Sequence, residues 1–186
     1  MYKRQYIGFV DGTDYHGWVS MRAALYYLDY HPDPDHEFIF YGATTLDGLA
    51  DTYDSSITVT NYGATLSANG AVFDGVDDYL RLTSWIFGDS MSVETYINIA
   101  GIEPVPGIFE FGDGHFVDNV RLTTNSSNNT IVFGRSPGGN SASSDNASSE
   151  TNTWIHIVVT LDSNSDVKMY INGQICLLYT SPSPRD

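Results

Sequence analysis

Asn69-Gly70-Ala71-Val72-Phe73-Asp74-Gly75-Val76-Asp77-Asp78-Tyr79-Leu80-Arg81-Leu82 is the stretch on which the reading of the chain turns. Val72 and Phe73 run into an acidic turn and Leu80 and Leu82 alternate out of it, so the stretch reads as two short strands joined at Asp74–Asp78. Gly75 supplies a backbone position that a side chain would crowd. The same pattern of short apolar runs broken by Gly, Asn and Asp extends in both directions from this point.

Upstream, His36 to Tyr41 reads as a strand bounded by the Pro32-Asp33-Pro34-Asp35 break, and Ile57 to Thr60 is β-branched and short. Downstream, Met91 to Ile99 alternates over its whole length, the pattern of a strand with one buried face. Gly107 to Gly112, Phe116 to Thr124 and Thr130 to Arg135 follow, separated by Gly and Asn. Trp154 to Leu161 is the most hydrophobic strand and is expected at the sheet centre, and Val167 to Ile171 leads into an Asn172-Gly173 hairpin turn. Ser136 to Asn152 is a polar, low-complexity stretch expected to be a long loop, and Met21 to Tyr30 is the single helical candidate. Many short strands at this spacing argue for an all-β antiparallel β-sandwich.

Both ends of the chain stand apart from this pattern. Cys176-Leu177-Leu178-Tyr179 and Tyr2-Lys3-Arg4-Gln5 are explained by one double-stranded sequence: TAT AAG AGA CAG encodes the second, and its opposite strand, shifted by one base, begins TGT CTC TTA TA and encodes the first. Residues 1–5 and 176–186 are therefore expected to be adapter-like additions, to be left out of fold reasoning. The sandwich is expected over residues 36–175 with its C-terminal strands truncated, and residues 6–35 are either the tail of a preceding repeat or a linker. The lone cysteine, Cys176, lies in the adapter-like segment, so a disulfide framework and a thiolate zinc site are excluded for the remainder. Leaving out Lys3, Arg4, Arg185 and Asp186 moves the net charge from −15 to −17. A chain this acidic repels phosphate backbones and anionic membrane surfaces, which argues against nucleic acid as a partner. No apolar run approaches the roughly 18 residues of a membrane span, so no membrane insertion is expected.

The opening stretch, Ser92-Val93-Glu94-Thr95-Tyr96-Ile97, Thr153 to Thr160 and Val167 to Gln174 together resemble, in order, the strand signatures of laminin-G-like domains, the concanavalin A-like jelly rolls. Tyr96 stands where that family has Trp, and Gly8 to Tyr15 faintly resembles its closing strand. The resemblance implies a jelly-roll sandwich and non-catalytic recognition of glycans or extracellular protein surfaces. It also implies an extracellular or cell-surface setting within a larger protein.

An enzyme of the same fold is the rival class. Sandwich glucanases carry Glu-x-Asp-x-Glu on one strand, which puts carboxylates on one face at period two. The glutamates here are Glu37, Glu94, Glu103, Glu110 and Glu150, and no two lie within four residues, so the chain is expected not to be an enzyme. His156, inside an apolar strand, is expected to be structural. Asp74, Asp77 and Asp78 offer three carboxylates in five residues, and Asp113 and Asp118 form a second acidic loop. Calcium takes about six to eight oxygens, so neither loop alone completes a site, and Asp side chains also hold turns through their own backbone. Calcium is thus a candidate cofactor, with Asp113, Asp118 and Asp77 as ligands. Trp85, Phe87, His115, Tyr96 and Asn119 are candidates by type for sugar contact, with Trp85, His115 and Asn119 preferred. A purely architectural spacer is the third alternative.

Overall fold

The computed structural model describes residues 6–10, 35–40, 42–85, 90–100, 107–112, 119–125, 130–136, 141–144, 152–164 and 166–179. Among these residues every regular element is a strand and every ladder is antiparallel. In chain order they are β1 (Tyr6–Val10), β2 (His36–Ile39), β3 (Val59–Tyr62), β4 (Thr65–Ser67), β5 (Gly70–Val72), β6 (Tyr79–Leu82) and β7 (Met91–Asn98). Then come β8 (Gly107–Phe111), β9 (Asn119–Asn125), β10 (Thr130–Ser136), β11 (Ser141–Ser143), β12 (Trp154–Leu161), β13 (Val167–Ile171) and β14 (Gln174–Tyr179).

A six-stranded sheet runs β14-β13-β12-β7-β1-β2, and a four-stranded sheet runs β11-β10-β9-β8. Two ribbons, β3-β6 and β4-β5, complete the ladders. The two larger sheets share one core, because Val93, Ile155, Ile157, Val159 and Met169 of the first cluster with Leu122, Ile131 and Phe133 of the second. Phe38, Leu122, Ile131, Ile157 and Met169 are wholly buried. Burial of such side chains is worth roughly 1.5–3 kcal/mol each.

Strand β12 occupies the interior position its hydrophobicity calls for, flanked by β7 and β13. Both β7 and β12 are buried on two faces: Met91 and Val93 enter the core cluster, while Ser92, Glu94 and Tyr96 are buried outside it. The β13–β14 turn is the expected Asn172-Gly173 pair, with φ of 51° and 79°, the left-handed conformations a two-residue hairpin requires. Residues 176–179, set aside above as adapter-like, continue β14 along β13, and the ladder shifts register at Cys176, between Tyr170↔Ile175 and Met169↔Leu177. Strand β1 lies inside the large sheet, with Ile7 opposite both Phe38 and Thr95.

Two short strands flank Asp74–Asp78 as expected, and each pairs elsewhere: β5 pairs with β4, and β6 pairs with β3. The acidic turn is a connection between two ribbons, because alternation identifies a strand without naming its partner. The polar stretch from Ser136 is not all loop, since β11 pairs with β10 and the Ser144 hydroxyl accepts the Ile131 N–H at 2.9 Å. The helical candidate Met21 to Tyr30 and the break at Pro32–Pro34 lie outside the described residues.

Candidate functional site

Two regions gather polar and aromatic side chains away from the core. The first is the outer face of the large sheet. Alternation along β7 and β12 puts Glu94, Tyr96, Trp154 and His156 on that face. His156 Nε2 lies 2.5 Å from Glu94 Oε1, and the two residues are each 5% exposed. One register step away the Tyr96 and Trp154 rings stack, with centroids 5.0 Å apart and planes 13° apart. Burial holds the Tyr96 hydroxyl above its ordinary pKa. The backbone of His156 is fixed by Asn172, whose Oδ1 accepts the His156 N–H at 3.0 Å. His156 Nδ1 is buried without a hydrogen-bond partner. The Glu94 carboxylate is buried here and committed to a histidine, and Glu37 of β2 lies on the same face, in register with Glu94 across Gly8.

The second region is the outward face of the β3–β6 ribbon and the acidic turn beside it. The ribbon turns Val59 inward, together with half-buried Asn61, Leu80 and Leu82, so Thr60, Tyr62, Tyr79 and Arg81 face outward. Tyr62 and Tyr79 are register partners, and their rings stack at 4.4 Å and 10°. They remain 41% and 51% exposed. The pair borders an open cavity of about 300 Å³ lined also by Gly63, Asp77 and Asp78. A neighbouring cavity of about 320 Å³ is lined by Thr60, Tyr62, Arg81, Leu82, Thr83 and Ser84. Three exposed apolar residues, Val72, Phe73 and Val76, sit at the same end.

The turn that carries the carboxylates is held by its own side chains. Asp74 Oδ1 accepts the Val76 N–H at 2.8 Å and the Asp77 N–H at 3.3 Å, and Asp78 Oδ2 accepts the Asp74 N–H at 2.9 Å. The Val76 N–H, more than any other group, holds the Asp74 carboxyl below its ordinary pKa of 3.8. Asp78 Oδ1 lies against Gly63, where a β-carbon would come within 1.9 Å of it at a backbone φ of +90°. Asp74 and Asp78 therefore shape the turn. Asp77 makes no carboxylate hydrogen bond among the described residues and faces the cavity. One carboxylate oxygen from each of the three aspartates lies within 4.8 Å of the others.

The candidates chosen by residue type are scattered. Trp85 is half-buried against the core, with its ring between His36 at 4.6 Å and Phe111 at 5.6 Å. Asn119 is 4% exposed and donates its amide to Glu110, so it packs rather than presents. Tyr96 is buried in the stack described above. Among the described members of the preferred set, Asp77 is the one exposed at a site, and there it joins Asp74 and Asp78. Phe87, Asp113, His115 and Asp118 lie outside the described residues. Tyr62, Tyr79 and Arg81 carry the open face and were not singled out by sequence. Their signal is the complement of the core pattern, the residues left outward when Val59, Leu80 and Leu82 point in.

Two antiparallel sheets sharing one core, with the β3–β6 ribbon as a separate ladder, form a β-sandwich. The chain belongs to the concanavalin A-like lectin/glucanases superfamily, in its laminin-G-like branch, whose pattern matches residues 74–183. In general terms this is a family of carbohydrate- or protein-binding modules. No curated protein matches the chain in sequence. Among the described residues no helix is long and apolar enough to cross a membrane.

Proposed function

We propose that the chain is a non-catalytic glycan-recognition module that binds through the outward face of the β3–β6 ribbon. One observation carries this reading: a stacked, half-exposed tyrosine pair beside a guanidinium and a row of hydroxyls. Exposed rings rimmed by polar groups mark interaction surfaces, because they bury apolar area while neighbouring donors fix orientation. Tyr62 and Tyr79 offer ring faces to the apolar side of a sugar, and Thr60, Arg81 and Ser84 offer hydrogen bonds to its hydroxyls, while the Thr83 hydroxyl is engaged with Thr58. The setting proposed is extracellular or cell-surface, within a larger protein.

Hydrolysis is disfavoured by the first region. A glucanase needs a second carboxylate about 5–9.5 Å from the first. Along β7 the period-two neighbours of Glu94 are Ser92 and Tyr96, and Glu37 stands two strands away in the same register. Glu94 itself is 5% exposed and engaged by His156, which leaves it no open side toward a substrate.

Calcium-assisted binding is a second reading, favoured by the convergence of Asp74, Asp77 and Asp78. The fit is partial, since the turn supplies three carboxylates toward about six to eight oxygens, and one oxygen each of Asp74 and Asp78 is already accepting backbone N–H groups. Glycan array binding by the wild type and by Tyr62→Ala/Tyr79→Ala, with and without calcium, tests the proposal. Binding that the double variant loses is the expected result. Equal binding by both proteins sinks the ribbon as the site.

A further inference from the structure

We infer that the cavity at Tyr62, Tyr79 and Asp77 receives a protonated amine carried on a glycan, so that the ligand class is an amino sugar with a free ammonium group. This deepens the glycan reading of the ribbon and rests on it. The inference starts from an asymmetry between the two adjoining cavities. The one beside Arg81 shares Tyr62 and adds Leu82, and its polar groups are a guanidinium and the hydroxyl residues Thr60, Thr83 and Ser84, which suit neutral polyol groups. The one beside Asp77 is lined by two tyrosines and two carboxylates, with no cation among its lining residues.

Charge complementarity selects the occupant of the second. An ammonium group is attracted both to a tyrosine ring face and to a carboxylate, and a site that offers the two together favours it over a hydroxyl. Asp77 is the carboxylate with both oxygens unspent, whereas Asp74 and Asp78 brace the turn. The mutual stacking of Tyr62 on Tyr79 leaves their outer faces for the ligand. The whole chain carries a net charge of −15, which raises the local concentration of any cationic polymer and repels an anionic one.

A basic peptide has the same charge, but the ribbon favours a saccharide. The outer edge of β3 is already used: Gly48 N–H donates to Val59 O, Val59 N–H donates to Leu49 O, and Asn61 N–H donates to Asp47 Oδ1. A peptide strand therefore finds no free ladder on that side, while the Thr60–Ser84 cavity presents hydroxyl-scale donors and acceptors to the next sugar along. Arg81 lies two residues from Tyr79 on the same face, so it directs the ammonium toward Asp77 and away from the second cavity.

Calorimetric titration of the full chain with a fully deacetylated glucosamine tetramer, at mildly acidic pH where its amines are protonated, tests this. The N-acetylated tetramer, a neutral glucose tetramer and tetralysine are run beside it. The expected result is about tenfold tighter binding of the deacetylated tetramer than of either neutral one, about 1.4 kcal/mol. Asp77→Asn should bring that preference close to unity. Neutral tetramers binding as tightly as the amine would overturn the ammonium inference and leave the glycan reading standing. Tight tetralysine binding without amino-sugar binding would overturn it in favour of a peptide. Binding that vanishes with a chelator would assign the carboxylates to a metal ion instead. No binding of any saccharide would overturn this inference together with the glycan reading.

Discussion

Glu94 and Asp77 are carboxylates on one sandwich, and their surroundings set them to opposite work. Glu94 is 5% exposed on a central strand and is held by a histidine 2.5 Å away. Asp77 stands in an exposed connection between two ribbons, beside a cavity and a stacked pair of rings. Removing a buried charge partner leaves an uncompensated group in a poorly solvated place, whereas removing an exposed charge costs little. The polar cluster that is buried ties β7 to β12, and the one that is least enclosed is placed to meet a ligand.

The largest effect separates the two regions directly. Glu94→Ala should destabilise the chain by about 3–5 kcal/mol, because His156 is then buried without its partner. Replacing both, as Glu94→Met with His156→Leu, should restore most of that loss. Asp77→Asn should stay within about 0.5 kcal/mol of the wild type. Urea unfolding of all three variants checks the contrast, and a similar cost for Glu94→Ala and Asp77→Asn would erase it.

A smaller effect tests whether the turn is built as described. Gly63→Ala should cost about 1–3 kcal/mol, since it adds strain at φ +90° and drives a β-carbon into the Asp78 carboxylate. A thermal melt matching the wild type would show that Asp78 does not rest on this glycine. Tyr62→Ala or Tyr79→Ala should cost only about 1 kcal/mol or less, the usual range for an exposed cross-strand aromatic pair. Their effect belongs to binding.

The smallest effect is acid sensitivity of the turn. The Asp74 carboxyl titrates below its ordinary 3.8 because it accepts N–H bonds from Val76 and its neighbours. A depressed carboxylate contributes stability above its unfolded pKa and loses it as pH falls through the lower folded value. Asp74→Asn keeps an oxygen to accept those bonds and removes the titration. Its unfolding curve should therefore fall less steeply than the wild type as pH drops below about 4. Identical acid limbs would place the stabilising bonds elsewhere.

Much of the fold is legible in the sequence because burial leaves a period. Strands β12 and β13 match the expected Trp154–Leu161 and Val167–Ile171, and β7 falls one residue short of its expected end. Pairing is less legible. The run through Asp74–Asp78 reads as two short strands, and that β5 and β6 belong to different ribbons is not legible in it, because a three- or four-residue strand carries alternation and no partner information. The short strands β4 and β11 leave still less trace. The site suffers most from this limit. Tyr62 and Tyr79 become a pair only through the β3–β6 register, which no local pattern announces. Trp85 and Asn119 have the chemistry of sugar contacts, and the packing of His36, Phe111 and Glu110 around them takes it out of play. Asp77 could be picked out because three carboxylates in a five-residue turn stand out in sequence, and the turn leaves it exposed beside the cavity.

The most direct test of the account is the affinity of one oligosaccharide, the strongest binder on the array, for three proteins measured by calorimetry. These are the wild type, Tyr62→Ala/Tyr79→Ala on the open ribbon, and Glu94→Met/His156→Leu on the closed sheet face. The account predicts that the ribbon variant loses at least about tenfold in affinity while the sheet-face variant stays within about twofold of the wild type. The reverse pattern would contradict it and move recognition to the outer face of the large sheet, and a wild type that binds no saccharide would contradict it outright.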